Sequence, residues 1–176
     1  MTHVVVINGP AGVGKTTLCR HLANSFPGTV SISGDGVRDF SPIDAKDWLG
    51  PRSTYRASAA LISSYLEMGA KRVLLDYIFE TRDSFEWFCS LLPVATPIYL
   101  FTIWAPLDTV VAREASRPGR ERLGDRVLQT YEALQRNLPF LGEIIENNDA
   151  VEVVAARIDS TILKSAGLQV RQPLEG

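Results

Sequence analysis

The sequence predicts an α/β protein: a three-layer sandwich with helices on both faces of a five-stranded parallel sheet. Short β-rich runs alternate with helix-length segments along the whole chain, the order that gives parallel strands joined by crossover helices. Several of those runs are almost continuously apolar, as strands buried on both faces are. The chain has 176 residues, 45% hydrophobic, 22% charged and 9% aromatic. That composition fits a single globular domain over residues 1–176 with a sizeable core, and argues against disorder and coiled coil.

The predicted strands are His3 to Asn8, Thr29 to Ser33, Arg72 to Asp76, Ile98 to Trp104 and Glu143 to Asn147. The first helix starts in the loop after Asn8 and runs to about Asn24. The longest spans about Ser53 to Gly69, with Ala57, Ala60, Leu61, Ser64, Tyr65 and Met68 on one apolar stripe and Gly69 as its stop signal. Further helices are expected over Asp83 to Leu92, Leu107 to Ser116, Gly124 to Asn137 and Asp149 to Ser165, with a loose tail over 167–176. Two segments interrupt the alternation, about 34–56 and about 117–125, and in α/β folds function concentrates in such loops.

Eighteen basic residues against twenty acidic ones give a net charge of −2, too little positive field to hold long nucleic acid or an anionic membrane. Cys19 and Cys89 form neither a metal motif nor a disulfide framework, and no signal-like segment opens the chain. The longest apolar stretch, about Val94 to Leu107, falls short of the ~18 residues of a spanning helix. A cytoplasmic protein with reduced thiols and no membrane partner is expected. His3 and His21 have no companion ligands, so both are assigned structural roles.

Residues Gly9-Pro-Ala-Gly-Val-Gly-Lys-Thr16 spell G-x-x-x-x-G-K-[ST] directly after an apolar strand and before a helix, the context that motif requires. Backbone N–H groups around Gly9, Gly12, Val13 and Gly14 would cradle phosphate oxygens at the positive end of the helix. Lys15 would place its charge on the β- and γ-phosphates, Thr16 its hydroxyl on Mg²⁺, and Thr17 would assist near the α-phosphate. The motif implies a nucleoside triphosphate. The chain carries no N-K-x-D guanine signature, which disfavours a GTP switch, and its small size favours a phosphotransferase over a motor.

After the second strand come Gly34-Asp-Gly-Val-Arg38-Asp39. A carboxylate beside the P-loop strand can orient and deprotonate an acceptor hydroxyl for in-line attack, which makes Asp35 a candidate base. Asp35 also suits an N-cap for a short helix from Gly36, and Arg38 suits a surface pairing with Asp35 and Asp39. Arg72-Val-Leu-Leu-Asp76 is an apolar strand closed by Asp, so Asp76 either orients Mg²⁺, contacts the acceptor or opens a turn. Trp48, Tyr55 and Phe79 are candidate acceptor contacts, with the core as the alternative place for Phe79; Phe85, Trp87 and Phe88 are assigned to helix packing.

These elements resemble the S-x-D-x-x-R pattern of small P-loop kinases of the chloramphenicol phosphotransferase, zeta-toxin and gluconate-kinase type. The resemblance covers about residues 3 to 165 and implies the sheet order 2-3-1-4-5 with a short Arg-rich lid. It implies that Asp35 accepts the proton of the acceptor hydroxyl and that Arg38 contacts the acceptor or the transferred phosphoryl group. Arg113, Arg117, Arg120, Arg122 and Arg126 fall within fourteen residues. Arg113 and Arg117, four apart, resemble the R-x-x-x-R of these kinases, which implies that Arg113 stacks on adenine and Arg117 reaches the phosphates. The other reading of the cluster is a solvated helix and loop pairing with Glu114, Glu121 and Asp125. Glu143 to Ala150 resembles the last strand and turn of these kinases, whose backbone borders adenine; the other reading of Asn147, Asn148 and Asp149 is as caps of the last helix.

The expected function is transfer of the γ-phosphoryl group of ATP, with Mg²⁺, to a hydroxyl of a small molecule; an antibiotic or related metabolite is favoured by family analogy. A nucleoside or nucleotide kinase is the alternative enzyme, weakened because Asp76-Tyr-Ile-Phe-Glu80 stands where Asp-Gly-Phe-Pro-Arg is expected. A nucleotide-binding regulatory module without turnover is the alternative of another class.

Overall fold

The computed structural model describes residues 2–41, 48–50, 52–116 and 124–165. Five strands form one parallel sheet in the order β2-β3-β1-β4-β5, with β1 His3–Asn8, β2 Thr29–Ser33, β3 Arg72–Asp76, β4 Ile98–Trp104 and β5 Glu143–Glu146. The helices are α1 Lys15–Ser25, α2 Gly34–Asp39, α3 Ser53–Glu67, α4 Arg82–Ser90, α5 Leu107–Ala115, α6 Asp125–Asn137 and α7 Val151–Lys164, with a 3₁₀ turn at Leu138–Phe140. No helix among the described residues is long and apolar enough to cross a membrane.

The continuous apolar strands are explained by two cores, one on each face of the sheet. Val5 and Ile7 of β1 and Leu74 of β3 point into a core with Leu18, Leu22, Val154 and Ile158 of α1 and α7. Val4, Val6, Val73 and Leu75 point the other way, onto Ile62, Phe79 and Phe88. Every residue of β1 and β3 is buried, and each fully buried Val, Leu or Ile contributes about 1.5–3 kcal/mol.

Two expectations are corrected. β5 stops at Glu146: the Asn147 N–H still donates to Trp104 of β4, but its carbonyl and side-chain amide turn to Arg113 and Val13. In α3 the buried face carries Ser58, Ala59 and Ile62; of the predicted stripe Tyr65 packs on the core, whereas Leu61 and Met68 are exposed and Ala57, Ala60 and Ser64 face solvent. The apolar stripe predicted there lies about two residues, and so nearly half a turn, away from the true face. Small residues at 58 and 59 let α3 pack closely beside α2 and the sheet, and Tyr55 and Ile62 anchor it, so closeness of approach outweighed the larger apolar count.

The register fixes the functional rim. Ile7 and Ser33 both lie opposite Asp76, so the carboxyl ends of β1, β2 and β3 are level. The loops that leave them meet at one edge, where ligands of parallel α/β sheets bind.

Candidate active site

The loop between β1 and α1 turns through three glycines of positive φ, Gly9 at 139°, Gly12 at 84° and Gly14 at 103°, which keeps side chains out of its concave side. No side chain caps α1 at Gly14. Lys15 Nζ lies back across the loop and donates to the carbonyls of Gly9 at 2.7 Å and Pro10 at 3.0 Å. Thr17, one residue past Thr16 in the first turn of α1, is exposed.

Asp76 is 6% exposed; the hydroxyls of Thr16 and Ser33 and the charge of Lys15 favour its ionised form, and the charge of Asp35 opposes it. Burial is the largest influence and, with Asp35, pushes its carboxyl above the ordinary range; Lys15 and the two hydroxyls pull the other way without cancelling it. A raised native pKa means the protonated form contributes stability at low pH, and that contribution is lost as pH rises through the native value. Asp76→Asn is therefore expected to raise the melting temperature of metal-free protein at pH 8, with the gain shrinking as pH falls toward the carboxylate range and wild-type Asp76 takes up its proton. Melting curves in chelator across that range check it; a variant less stable at pH 8 would mean that the Lys15 attraction outweighs burial.

Asp35 occupies the second position of α2. The N-cap is Ser33, whose Oγ accepts from the Gly36 N–H at 3.3 Å, so the capping role considered for Asp35 belongs to Ser33. The Asp35 carboxylate instead meets Arg38 Nη1 at 3.2 Å, and Arg38 Nη2 lies 3.5 Å from Asp39, with about two-fifths of each of the Asp35 and Arg38 side chains exposed. α2 is pressed against the residue after Asp76: a Cβ on Gly34 would stand 2.2 Å from the Tyr77 ring. Tyr77 is thus held beside the start of α2, half-buried, at the rim where β3 ends.

The other aromatic candidates separate. Trp48 is 65% exposed, beside residues 42–47, which lie outside the described set. Phe79 is fully buried, stacked on Tyr55 at 4.7 Å between centroids and packed on Phe88 at 5.1 Å. It has no surface to offer an acceptor and is corrected to a core residue. Tyr55 donates its hydroxyl to the Ile78 carbonyl at 2.8 Å, and burial, ahead of the nearby Tyr77 and Glu80, pushes its phenol up to about 12. Its bonding is directed into the β3–α4 loop.

On the lid side, both terminal nitrogens of Arg113 lie 3.4 Å from the carbonyl of Asn147. Arg126 is exposed near the start of α6. Arg117, Arg120 and Arg122 lie outside the described residues. Asp149, considered as a cap, pairs with Arg157 at 2.6 Å, and the N-cap of α7 is Ala150.

Two groups hold the site in ways the sequence did not show: Asn8, which was not singled out, and Asn147, considered only as an adenine border or a cap. Asn8, fully buried at the end of β1, donates to the Phe79 carbonyl and Thr102 Oγ1, each at 3.1 Å, and accepts from the Phe79 N–H at 2.9 Å. Thr102 passes the connection on to the Leu141 carbonyl. Asn147 binds the P-loop carbonyl of Val13 at 2.6 Å. The only sequence signal for Asn8 was an amide ending an apolar strand, which takes meaning once its partner 71 residues away is known.

A family model described as an AAA domain matches residues 4–138. Among solved structures, the chain is similar to a tunicamycin resistance protein from Deinococcus radiodurans, at 21% identity, TM-score 0.66, with 92% of this chain and 96% of that one covered. A sugar kinase from Janibacter sp. aligns at 18% identity and TM-score 0.66, over 98% and 100% of the two chains. A shikimate kinase from Acinetobacter baumannii, in complex with shikimate, aligns at 18% and 0.62, over 94% and 96%. These likenesses are likenesses of fold. No curated protein sequence matches the chain.

Proposed function

The chain belongs to the AAA domain family, and on that premise we propose that it is an ATP- and Mg²⁺-dependent phosphotransferase acting on a hydroxyl of a small molecule. The observation that carries this reading is the meeting of two carboxylates with the P-loop: Lys15 and Thr16 both act on the buried Asp76 carboxylate, and Asp35 is close enough for its charge to act on it too. A nucleotide-binding loop alone needs no second carboxylate at the same rim.

The residues fit the metal. Thr16 and Asp76 present hard oxygen donors side by side, and Mg²⁺ takes one or two such ligands together with phosphate oxygens. When bound, Mg²⁺ neutralises charge across the β- and γ-phosphates. Backbone N–H groups of Gly12 to Thr17 hold the phosphates, Lys15 leaves its two carbonyl contacts to reach them, and Arg113 covers the base. Asp35 accepts the acceptor proton as the hydroxyl oxygen attacks the γ-phosphorus, and the bond to ADP breaks, giving a phosphoester, ADP and a proton. Arg38 steadies Asp35 and Arg117 reaches the transferred group. Tyr77, with Trp48, borders the acceptor.

An antibiotic or related metabolite is the acceptor we favour; the fold shared with a tunicamycin resistance protein and a sugar kinase supports a small-molecule acceptor. A cytoplasmic setting, where ATP is supplied, belongs to the same reading. The test is a mass-spectrometric screen with ATP and Mg²⁺ of hydroxylated antibiotics, sugars, nucleosides and nucleotides for addition of one phosphoryl group. A nucleoside or nucleotide as the sole substrate would replace the favoured acceptor, and tight ATP binding with no product anywhere would favour a regulatory module.

A further inference from the structure

The structure assigns Asn147 as a positioning residue that sets the orientation of the Val13–Gly14 peptide in the P-loop. This rests on the nucleotide reading above. Asn147 is the first residue beyond β5 and joins three segments. Its N–H donates to the carbonyl of Trp104, the last residue of β4, at 2.8 Å. Its side-chain amide donates to the Val13 carbonyl at 2.6 Å, across 134 residues of sequence, and its own carbonyl faces Arg113 of α5. The fit is close on the loop side as well, since a Cβ on Gly14 would come 2.9 Å from the Asn147 amide nitrogen.

The carbonyl and N–H of one trans peptide point in opposite directions. Once Asn147 holds the Val13 carbonyl on its side, the Gly14 N–H must face away from Asn147. Glycine at 14 removes the steric barrier that would otherwise keep this peptide from turning over, so the orientation needs an external hold, and Val13 is itself fully buried. Asn147 supplies that hold, keeping a phosphate-binding N–H in place before nucleotide arrives. The same residue meets Arg113, so the loop that grips phosphate and the helix that carries the base-side arginine share one anchor.

The test uses Asn147→Ala, which removes the donor, and Asn147→Asp, which keeps the size but sets a carboxylate oxygen against the Val13 carbonyl. Hydrogen exchange of nucleotide-free protein, read by mass spectrometry over residues 9–18, is expected to quicken in both variants while β1 and the melting temperature stay near wild type. ADP affinity and the KM for ATP should weaken about tenfold in the alanine variant, as for loss of one part-buried hydrogen bond, and further in the aspartate variant, with the acceptor KM unchanged. Loop exchange equal to wild type in both variants overturns the assignment, as does an unchanged ADP affinity when exchange has quickened. A faster loop in a protein whose wild type does not bind ADP would leave the anchor standing and remove the kinase reading instead.

Discussion

Asp35→Asn is expected to slow phosphoryl transfer by about 10²–10⁴-fold, the usual contribution of a positioned general base, while ATP affinity stays within about twofold of wild type. The separation follows from geometry. Asp35 sits on α2, whereas the proposed phosphate grip is built from β1, α1 and Asn147. The fold does not depend on it either, because Ser33 and not Asp35 caps α2. The ion pair with Arg38, about two-fifths exposed on each side, contributes little to stability at that exposure. Removing the Asp35 charge also relieves Asp76 of its repulsion, so metal binding should hold or tighten as turnover collapses. Steady-state rates on the acceptor found by the screen, with calorimetric ATP titration of the same preparation, check both halves. Equal turnover in the variant would reduce Asp35 to a surface residue of α2 and place the base elsewhere.

Why this site could be read from residue order, and its supports could not, has a physical basis. The P-loop and the Asp closing β3 are local patterns: each functional group is placed by its own strand end, and the parallel register then carries them to the same rim. The same locality made β1 and β3 legible, since a strand buried on both faces must be apolar throughout. Asn8 and Asn147 act on partners 71 and 134 residues away, and an amide at a strand end carries no sign of whether it caps, turns or clamps. The α3 stripe failed for a related reason: Leu61 and Met68 raise the apolar count of one face, but Ser58 and Ala59 decide which face can approach α2. Phe79 and Tyr77 stand two apart at the same strand end, and only packing distinguishes the core residue from the one at the rim.

The rim opposite the site carries the second large expectation: Asp159→Ala should destabilise the protein by about 3 kcal/mol, with a melting temperature lower by roughly 6–12 °C. Arg72 opens β3 with its side chain only 4% exposed. It lies opposite His3 in register and donates from Nε to His3 Nε2 at 3.1 Å, with its guanidinium carbon 4.3 Å from the centre of the Phe26 ring. Its one charged partner among the described residues is Asp159 of α7, at 2.8 Å, a contact of charge rather than an aligned hydrogen bond, and Nη1 has no hydrogen-bond partner there. Truncating Asp159 leaves a buried cation uncompensated, which costs far more than an exposed pair returns, because stacking on Phe26 supplies only about 0.5–2 kcal/mol. Asp159→Asn, which keeps an acceptor without the charge, should fall between wild type and alanine. Both variants should turn over within about twofold of wild type where folded, since Arg72 lies at the start of β3 and Asp76 at its end, about 13 Å along the strand. Thermal and urea unfolding decide the matter: a melting temperature within about 2 °C of wild type for Asp159→Ala would show that His3 and Phe26 alone hold the Arg72 charge.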